Sequence, residues 1–367
     1  MTDPRVVKMA DVLAAYSLAV QEGDLVRIQG GPEGAPLLLA LYERVLARGG
    51  HPWVQLGLDG TDELFYAKAT EAQLDFIPRF ARAIVDEIQA SISVWTETNT
   101  KRLTGADPAK QARRARAMRP LSERFFERAA KKELRWTSTL YPTHAFAQDA
   151  EMSLREFAEL VFAACRVDED DPIEAWKELS RTQTKLITWL TPKREIHVLG
   201  PDTDLRLRVD GRAWINCDGH ENFPDGEIFT GPVEESAEGH IRFTYPACLY
   251  GREVEDVRLE FRHGKVVRAT AGKNEEFLQK MLDTDEGARY VGEFAFGTNP
   301  GIQRFTKNVL FDEKIGGTVH LALGKGYPES GSKNSSAIHW DMVCDLRHGG
   351  EVRVDGTPFV RDGAFLV

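Results

Sequence analysis

The spacing of apolar residues changes period along this chain. At residues 6–21 they recur at helical spacing, and residues 24–29 alternate as a strand does. A Gly-rich turn at 30–34, a helix over 35–48 and a strand over 51–56 follow. That order of strand, helix and strand predicts a right-handed βαβ unit in a parallel sheet. Residues 70–135 read as mostly helical, 135–140 as another strand, and 153–166 and 172–190 as helices, the last closed by Thr191-Pro192. From Ile196 onward the pattern becomes short alternating strands separated by Asp-Gly and Gly-rich turns. The expected fold is α/β: an N-terminal open parallel-sheet α/β domain (1–195) followed by a mostly β domain (196–367) that carries every candidate site residue.

Composition narrows the setting. A chain of 367 residues is long for a single core. Its hydrophobic fraction of 42% suits a soluble protein, and no apolar run approaches the ~20 residues that cross a bilayer. The start, Met1-Thr2-Asp3-Pro4-Arg5, lacks the basic flank and apolar core of a signal peptide. The four cysteines, Cys165, Cys217, Cys248 and Cys344, are scattered without Cys-x-x-Cys spacing, which points to a reducing cytoplasm and away from a zinc ribbon. A net charge of −10 disfavours nucleic acid and anionic membranes as partners. The basic stretch Lys110, Arg113, Arg114, Arg116 and Arg119 reads as a solvated helix face. Gly30-Gly31-x-x-Gly34 lacks the full dinucleotide fingerprint, and Gly331-Ser332-Lys333 has the wrong order for a P-loop.

The chemistry concentrates near the C-terminus. In Thr318-Val319-His320-Leu321-Ala322-Leu323-Gly324, strand alternation puts Val319, Leu321 and Leu323 on one face and His320 on the other. In Ala337-Ile338-His339-Trp340-Asp341-Met342-Val343, the apolar face is Ile338, Trp340 and Met342, while His339 and Asp341 sit together opposite. A lone histidine at a strand edge is usually an ordinary hydrogen-bonded one. Two imidazoles and a carboxylate on the polar faces of nearby strands suit a divalent metal. Upstream, Pro224-Asp225-Gly226 forms a turn that throws Glu227 onto a short strand. Asp283 and Glu286 are spaced as a capping box, predicting a short helix to about Gly292 that delivers Glu293. Glu313 precedes the His320 strand by one Gly-Gly turn.

These segments, read in order as Asn222-Phe-Pro-Asp-Gly-Glu-Ile-Phe-Thr, Leu282-Asp-Thr-Asp-Glu-Gly-Ala-Arg with Gly292-Glu293, Phe311-Asp-Glu, His320-Leu-Ala-Leu-Gly, Tyr327-Pro and His339-Trp-Asp341, resemble the thermophilic-type metalloaminopeptidases of peptidase family M29. The resemblance implies an exopeptidase with two divalent metal ions (zinc, cobalt, manganese or magnesium). It implies Glu227, Glu293, His320, His339 and Asp341 as ligands, and Tyr327 as the active-site tyrosine that steadies an oxyanion. Glu293 is a bridging ligand or a general base. Glu313 matches a further acidic position, although the turn from it to His320 is longer than in some relatives. Short peptides with a free N-terminus are the implied substrates. A homodimer, whose N-terminal domains help enclose the active sites, is the implied assembly. The residues by themselves also admit a non-catalytic α/β binding protein with a structural cation, or a dimetal hydrolase of other amides or of phosphates.

Overall fold

The computed structural model describes residues 3–367, so the part of the N-terminal reading that rests on Met1 and Thr2 lies outside the described residues. The chain divides into two compact units. The first comprises residues 1–173 with 219–223, and the second 174–218 with 224–367. The boundary expected at 195/196 lies just past the helix Pro172–Leu190.

In the first unit, β1 (Leu25–Gly30), β2 (His51–Leu56), β3 (Ala90–Trp95) and β4 (Arg135–Leu140) form a sheet in the order β2-β1-β3-β4, with Asn222–Phe223 added beyond β4. Every pairing is parallel, and the connections from β1 through β4 are helical, as a parallel sheet requires. Helix Ala35–Ala47 buries Leu37, Leu41 and Val45. The strands contribute Val26, Ile28, Ile92 and Val94 to the interior.

Two expectations for this unit need amending. Residues 70–135 are mostly helical, with helices Glu71–Asp75, Arg79–Glu87 and Pro108–Ala130, but they also hold β3 at the centre of the sheet, which was not expected. Its sequence, Ala-Ser-Ile-Ser-Val-Trp, follows closely on the helix Arg79–Glu87 without a Gly or Pro to mark the break. The long N-terminal helix also ends early, with Pro4–Val12 α-helical and Leu13–Ser17 a π-turn. The basic stretch ties helices together as well as meeting solvent. Arg113 pairs with Asp75 at 2.6 Å, Arg114 donates to the Phe76 carbonyl at 2.8 Å, and Lys110 donates to that of Tyr66 at 2.8 Å.

The second unit is mostly antiparallel. Strands β5 (Ile215–Cys217), β6 (Glu227–Thr230), β7 (Val291–Gly297), β8 (Thr318–Gly324) and β9 (His339–Asp345) form a five-stranded sheet in the order β9-β8-β7-β6-β5. An eight-stranded antiparallel sheet, built from residues between 195 and 270 and from 351–365, shares its hydrophobic core. Phe294, Phe296, Val319, Leu321, Leu323, Trp340 and Met342 point into that core from the five-stranded sheet, and Phe261, Val352 and Phe359 meet them from the other. The Phe296 and Phe359 rings lie 5.3 Å apart. The packed face expected for 318–324 is therefore present, and that for 337–343 is present at Trp340 and Met342, whereas Ile338 is buried but lies before β9 and outside this core. Every large apolar side chain of β7 to β9 except Val343 belongs to the core.

The short helix expected to run from Asp283 to about Gly292 is instead a 3-10 turn, Glu286–Arg289. Asp283 is the C-terminal cap of the helix Glu275–Leu282 and cannot start the next element. It pairs with Arg289 at 2.6 Å. Asp285 does the capping, accepting from the Ala288 N–H at 2.9 Å.

Trp340 is 1% exposed and its ring lies 5.9 Å from that of Phe277. Trp340→Ala is expected to cost about 3–5 kcal/mol by opening a core cavity, measured by denaturant unfolding. Activity should fall only as folded protein is lost.

Candidate metal centre

The face of β6 to β9 turned away from the core is where the candidate residues meet. Register places Ala322 between Glu293 and Asp341, and His320 between Ala295 and Val343. Gly297 pairs with Glu227, and Gly324 with His339. The floor between the polar side chains is thus Ala295, Gly297, Ala322 and Gly324, which leaves room above the sheet. The sequence reading did not single out these small residues, although they occupy the alternate positions of the same strands.

Two glycines set the carboxylates. Gly226 sits in the Pro-Asp-Gly turn at φ +119, a backbone conformation that other residues rarely adopt, and Glu227 follows as the first residue of β6. Gly292 lies at a register shift between Val291 and Glu293, and a Cβ there would stand 2.3 Å from the Gly324 carbonyl oxygen. This bulge re-aims Glu293. Gln183, on helix Pro172–Leu190, steadies β6 by donating to the Glu227 carbonyl at 2.9 Å and to the Thr298 hydroxyl at 3.0 Å.

Glu293 is the hub. One of its oxygens lies 3.2 Å from His320 Nε2 and the other 3.7 Å from His339 Nε2. His320 Nε2 is also 3.4 Å from Glu227, and His339 Nε2 is 3.4 Å from Asp341. The orientation of His339 follows from its other nitrogen. Nδ1 lies 2.7 Å from the Lys325 carbonyl, which can only accept, so Nδ1 carries a proton and Nε2 is the nitrogen turned to the cluster. Tyr327 stands at the rim, its ring 5.1 Å from that of His339 and 5.4 Å from that of Phe229. A 3-10 turn, Pro328–Ser330, follows it, and the Ser330 hydroxyl donates to the Tyr327 carbonyl at 2.6 Å.

One side chain here was not anticipated. Lys314 is fully buried, its Nζ touching the Glu313 carboxylate and lying 3.4 Å from Glu227. Only its place directly after Glu313 in the sequence hinted at such a role.

The electrostatics reflect this crowding. Burial, together with neighbouring carboxylates, raises the pKa of Glu227 and Glu313; burial above all raises that of Glu293. Burial would lower the pKa of His320, yet its bond to Glu293 and the charges of Glu227 and Glu313 carry it up to about 9. His339 likewise rises to about 10 against its burial, chiefly through Asp341. Asp341, though buried, is drawn down to about 2 by His339. For Lys314, Glu227 and Glu313 more than offset burial and hold it well above the ordinary lysine range. His320, His339, Asp341 and Lys314 are thus held in the charged form that their oppositely charged neighbours favour, whereas burial outweighs the nearby cations at the three glutamates.

The donor set fits divalent ions. Ligand atoms of Glu227, Glu293 and His320 lie within 4.8 Å of one another, as do those of Glu313, His320 and Asp341. Glu227 Oε2, His320 Nδ1 and Asp341 Oδ1 are buried yet make no hydrogen bond, and buried polar atoms rarely remain so. Carboxylate oxygen with imidazole nitrogen suits zinc, cobalt and manganese. All six candidate ligands are brought together with Tyr327 on one face. Cys217 and Asp225 also approach Glu227, and burial pushes the Cys217 thiol up.

The Thermophilic metalloprotease (M29) family pattern matches residues 2–365. The chain belongs to the M29 family. It is 30% identical to Aminopeptidase T of Thermus thermophilus, over 98% of this chain and 98% of that protein. The solved structure of wild-type AmpT from Thermus thermophilus superposes with a TM-score of 0.86 at 27% identity, covering 99% of each chain. A dihydroxypyridine dioxygenase from Pseudomonas putida shares the fold alone, with a TM-score of 0.63 at 14% identity. The same scaffold thus carries different chemistries, and the reaction must be argued from the site.

The bulge at Gly292 yields a direct test. Gly292→Ala should displace Glu293 and weaken zinc binding at least tenfold in isothermal titration calorimetry. Unchanged affinity would show that Gly292 does not aim the carboxylate.

Proposed function

We propose that this chain removes N-terminal residues from short peptides in the cytoplasm, with two divalent ions held by Glu227, Glu293, Glu313, His320, His339 and Asp341. It is an M29-family aminopeptidase, in keeping with its full-length similarity to Aminopeptidase T. The observation that carries the finer reading is the convergence of four carboxylates and two imidazoles on one buried sheet face, with three of their polar atoms unbonded.

Bound ions supply Lewis acidity and activate water near neutral pH. The remaining work belongs to the side chains. Glu293 faces one imidazole with each oxygen, the arrangement of a bridging ligand. Glu313, His339 and Asp341 line a cavity of about 160 Å³ whose other walls include Pro246, Leu249, Phe305, Val309 and Val343. A cavity of this size takes a group about as large as benzene. Val343 lies on the same strand face as His339 and Asp341, two residues further along. A peptide whose amine is drawn to Glu313 and Asp341 therefore sets its first side chain against the apolar wall. That placement leaves its first carbonyl near Tyr327, whose phenol stays protonated because burial and the surrounding carboxylates raise its pKa. The phenol donates to the developing oxyanion.

Among the described residues, no helix is long and apolar enough to cross a membrane. We also assign a homodimer. Leu39, Tyr42 and Leu46 form an exposed apolar stripe on the helix Ala35–Ala47, a surface that a second copy would cover.

Free peptides should lose residues stepwise from the N-terminus, and their N-acetylated forms should be inert, as read by mass spectrometry. Chelation should abolish the cleavage, and added divalent metal should restore it. His339→Ala and Asp341→Ala should each cut metal content and turnover by orders of magnitude with little loss of stability. Tyr327→Phe should keep the metal and lower turnover alone. Equal cleavage of blocked and free peptides, or cleavage that survives proven metal removal, would refute the reading. Light scattering should give twice the 41.2 kDa chain mass, and an active monomer would remove the dimer.

A further inference from the structure

Lys314 has no part in the reaction just described, yet it is built into the centre. Its side chain is 0% exposed. Its ammonium touches Glu313, which clusters with His320 and Asp341, and it lies 3.4 Å from Glu227, which clusters with Glu293 and His320. One cation thus meets a carboxylate of each candidate cluster. The backbone fixes it there, because its N–H donates to the Phe311 carbonyl at 3.0 Å and its carbonyl accepts from the Asn299 N–H at 3.1 Å. Asn299 is itself buried and anchored, donating from its side chain to the Asp225 carbonyl at 2.7 Å. A lysine ammonium is a compact, strongly hydrated charge, and burying one is costly unless carboxylates surround it.

We propose that Lys314 is a positioning residue and the built-in counter-cation of the metal centre. Its ammonium holds Glu227 and Glu313 in place without metal and lowers the affinity with which the centre then binds divalent ions. The physical reason is competition for the same negative charge. Ammonium and metal both neutralise Glu227 and Glu313, and like charges at close range in a buried site repel strongly. Two cations that share counter-charges weaken each other reciprocally. Lys314 thus stabilises the centre before loading and makes bound metal easier to exchange. This inference rests on the metal-binding reading of the site and on no property of the peptide substrate.

The test uses the full chain, stripped of metal by chelator and dialysis, with zinc as the probe. Wild type, Lys314→Met, Lys314→Gln and Lys314→Arg are compared by zinc competition against a chromogenic chelator and by thermal unfolding with and without zinc. The neutral variants should bind zinc at least tenfold more tightly. Their metal-free forms should melt several degrees lower, and zinc should raise their melting temperature more than it raises that of wild type. Lys314→Arg keeps the charge and should stay within about threefold of wild-type affinity. A purely structural lysine would lower stability without tightening zinc. Unchanged or weaker zinc binding in the neutral variants overturns the proposal. A neutral variant that folds only with zinc supports it, since the metal then replaces the ammonium; neutral variants that fail to fold even with zinc overturn it. If wild type takes up no divalent metal, the metalloenzyme reading fails and this inference fails with it, whereas normal zinc uptake without the Lys314 effect sinks this inference alone.

Discussion

Four carboxylates gathered on one dry sheet face are the constraint on which the rest of this structure depends. Glu227, Glu293, Glu313 and Asp341 are all buried or nearly so. Like charges so close in a medium of low dielectric repel one another unless cations share the space. The pull on their neighbours is visible in His320 and His339, whose pKa values are driven up to about 9 and about 10 against the effect of burial. A fold meeting only the needs of stability would avoid this arrangement. Its presence is the strongest physical argument that the face exists to hold cations.

The sheet makes such a cluster possible by dividing its labour between faces. On β7, β8 and β9 the large side chains Phe294, Phe296, Val319, Leu321, Leu323, Trp340 and Met342 fill the core, and alternation leaves the other face to the candidate ligands and small residues. Close packing below makes these strands stiff, so polar side chains above them are held in register rather than free to spread apart. Gly226 and Gly292 adjust the aim of two carboxylates at strand starts, and Gln183 ties β6 down from behind. Rigidity, space and charge thus arise from one alternating pattern.

That pattern was legible in the sequence. The period of two in 318–324 and 337–343 gives the faces directly, and the Pro-Asp-Gly turn places Glu227. Other features depended on information that a local reading lacks. Strand β3 has no turn residues on its helical flank, so its apolar run merged with its helical neighbours. The capping role passed from Asp283 to Asp285 because the preceding helix extends to Leu282. The small-residue floor emerges only once register pairs Ala322 with both Glu293 and Asp341. Lys314 is a long-range feature too. Nothing within a few residues of it reveals that Glu227, eighty-seven positions earlier, comes within 3.4 Å of its ammonium.

Anomalous diffraction at the zinc edge, from crystals of the full chain soaked in zinc, tests the central claim most directly. Two peaks are expected on the polar face of β6 to β9, one beside Glu227, Glu293 and His320 and the other beside His339 and Asp341, with Glu293 between them. Anomalous density elsewhere, or none on this face at full zinc occupancy in solution, would contradict it.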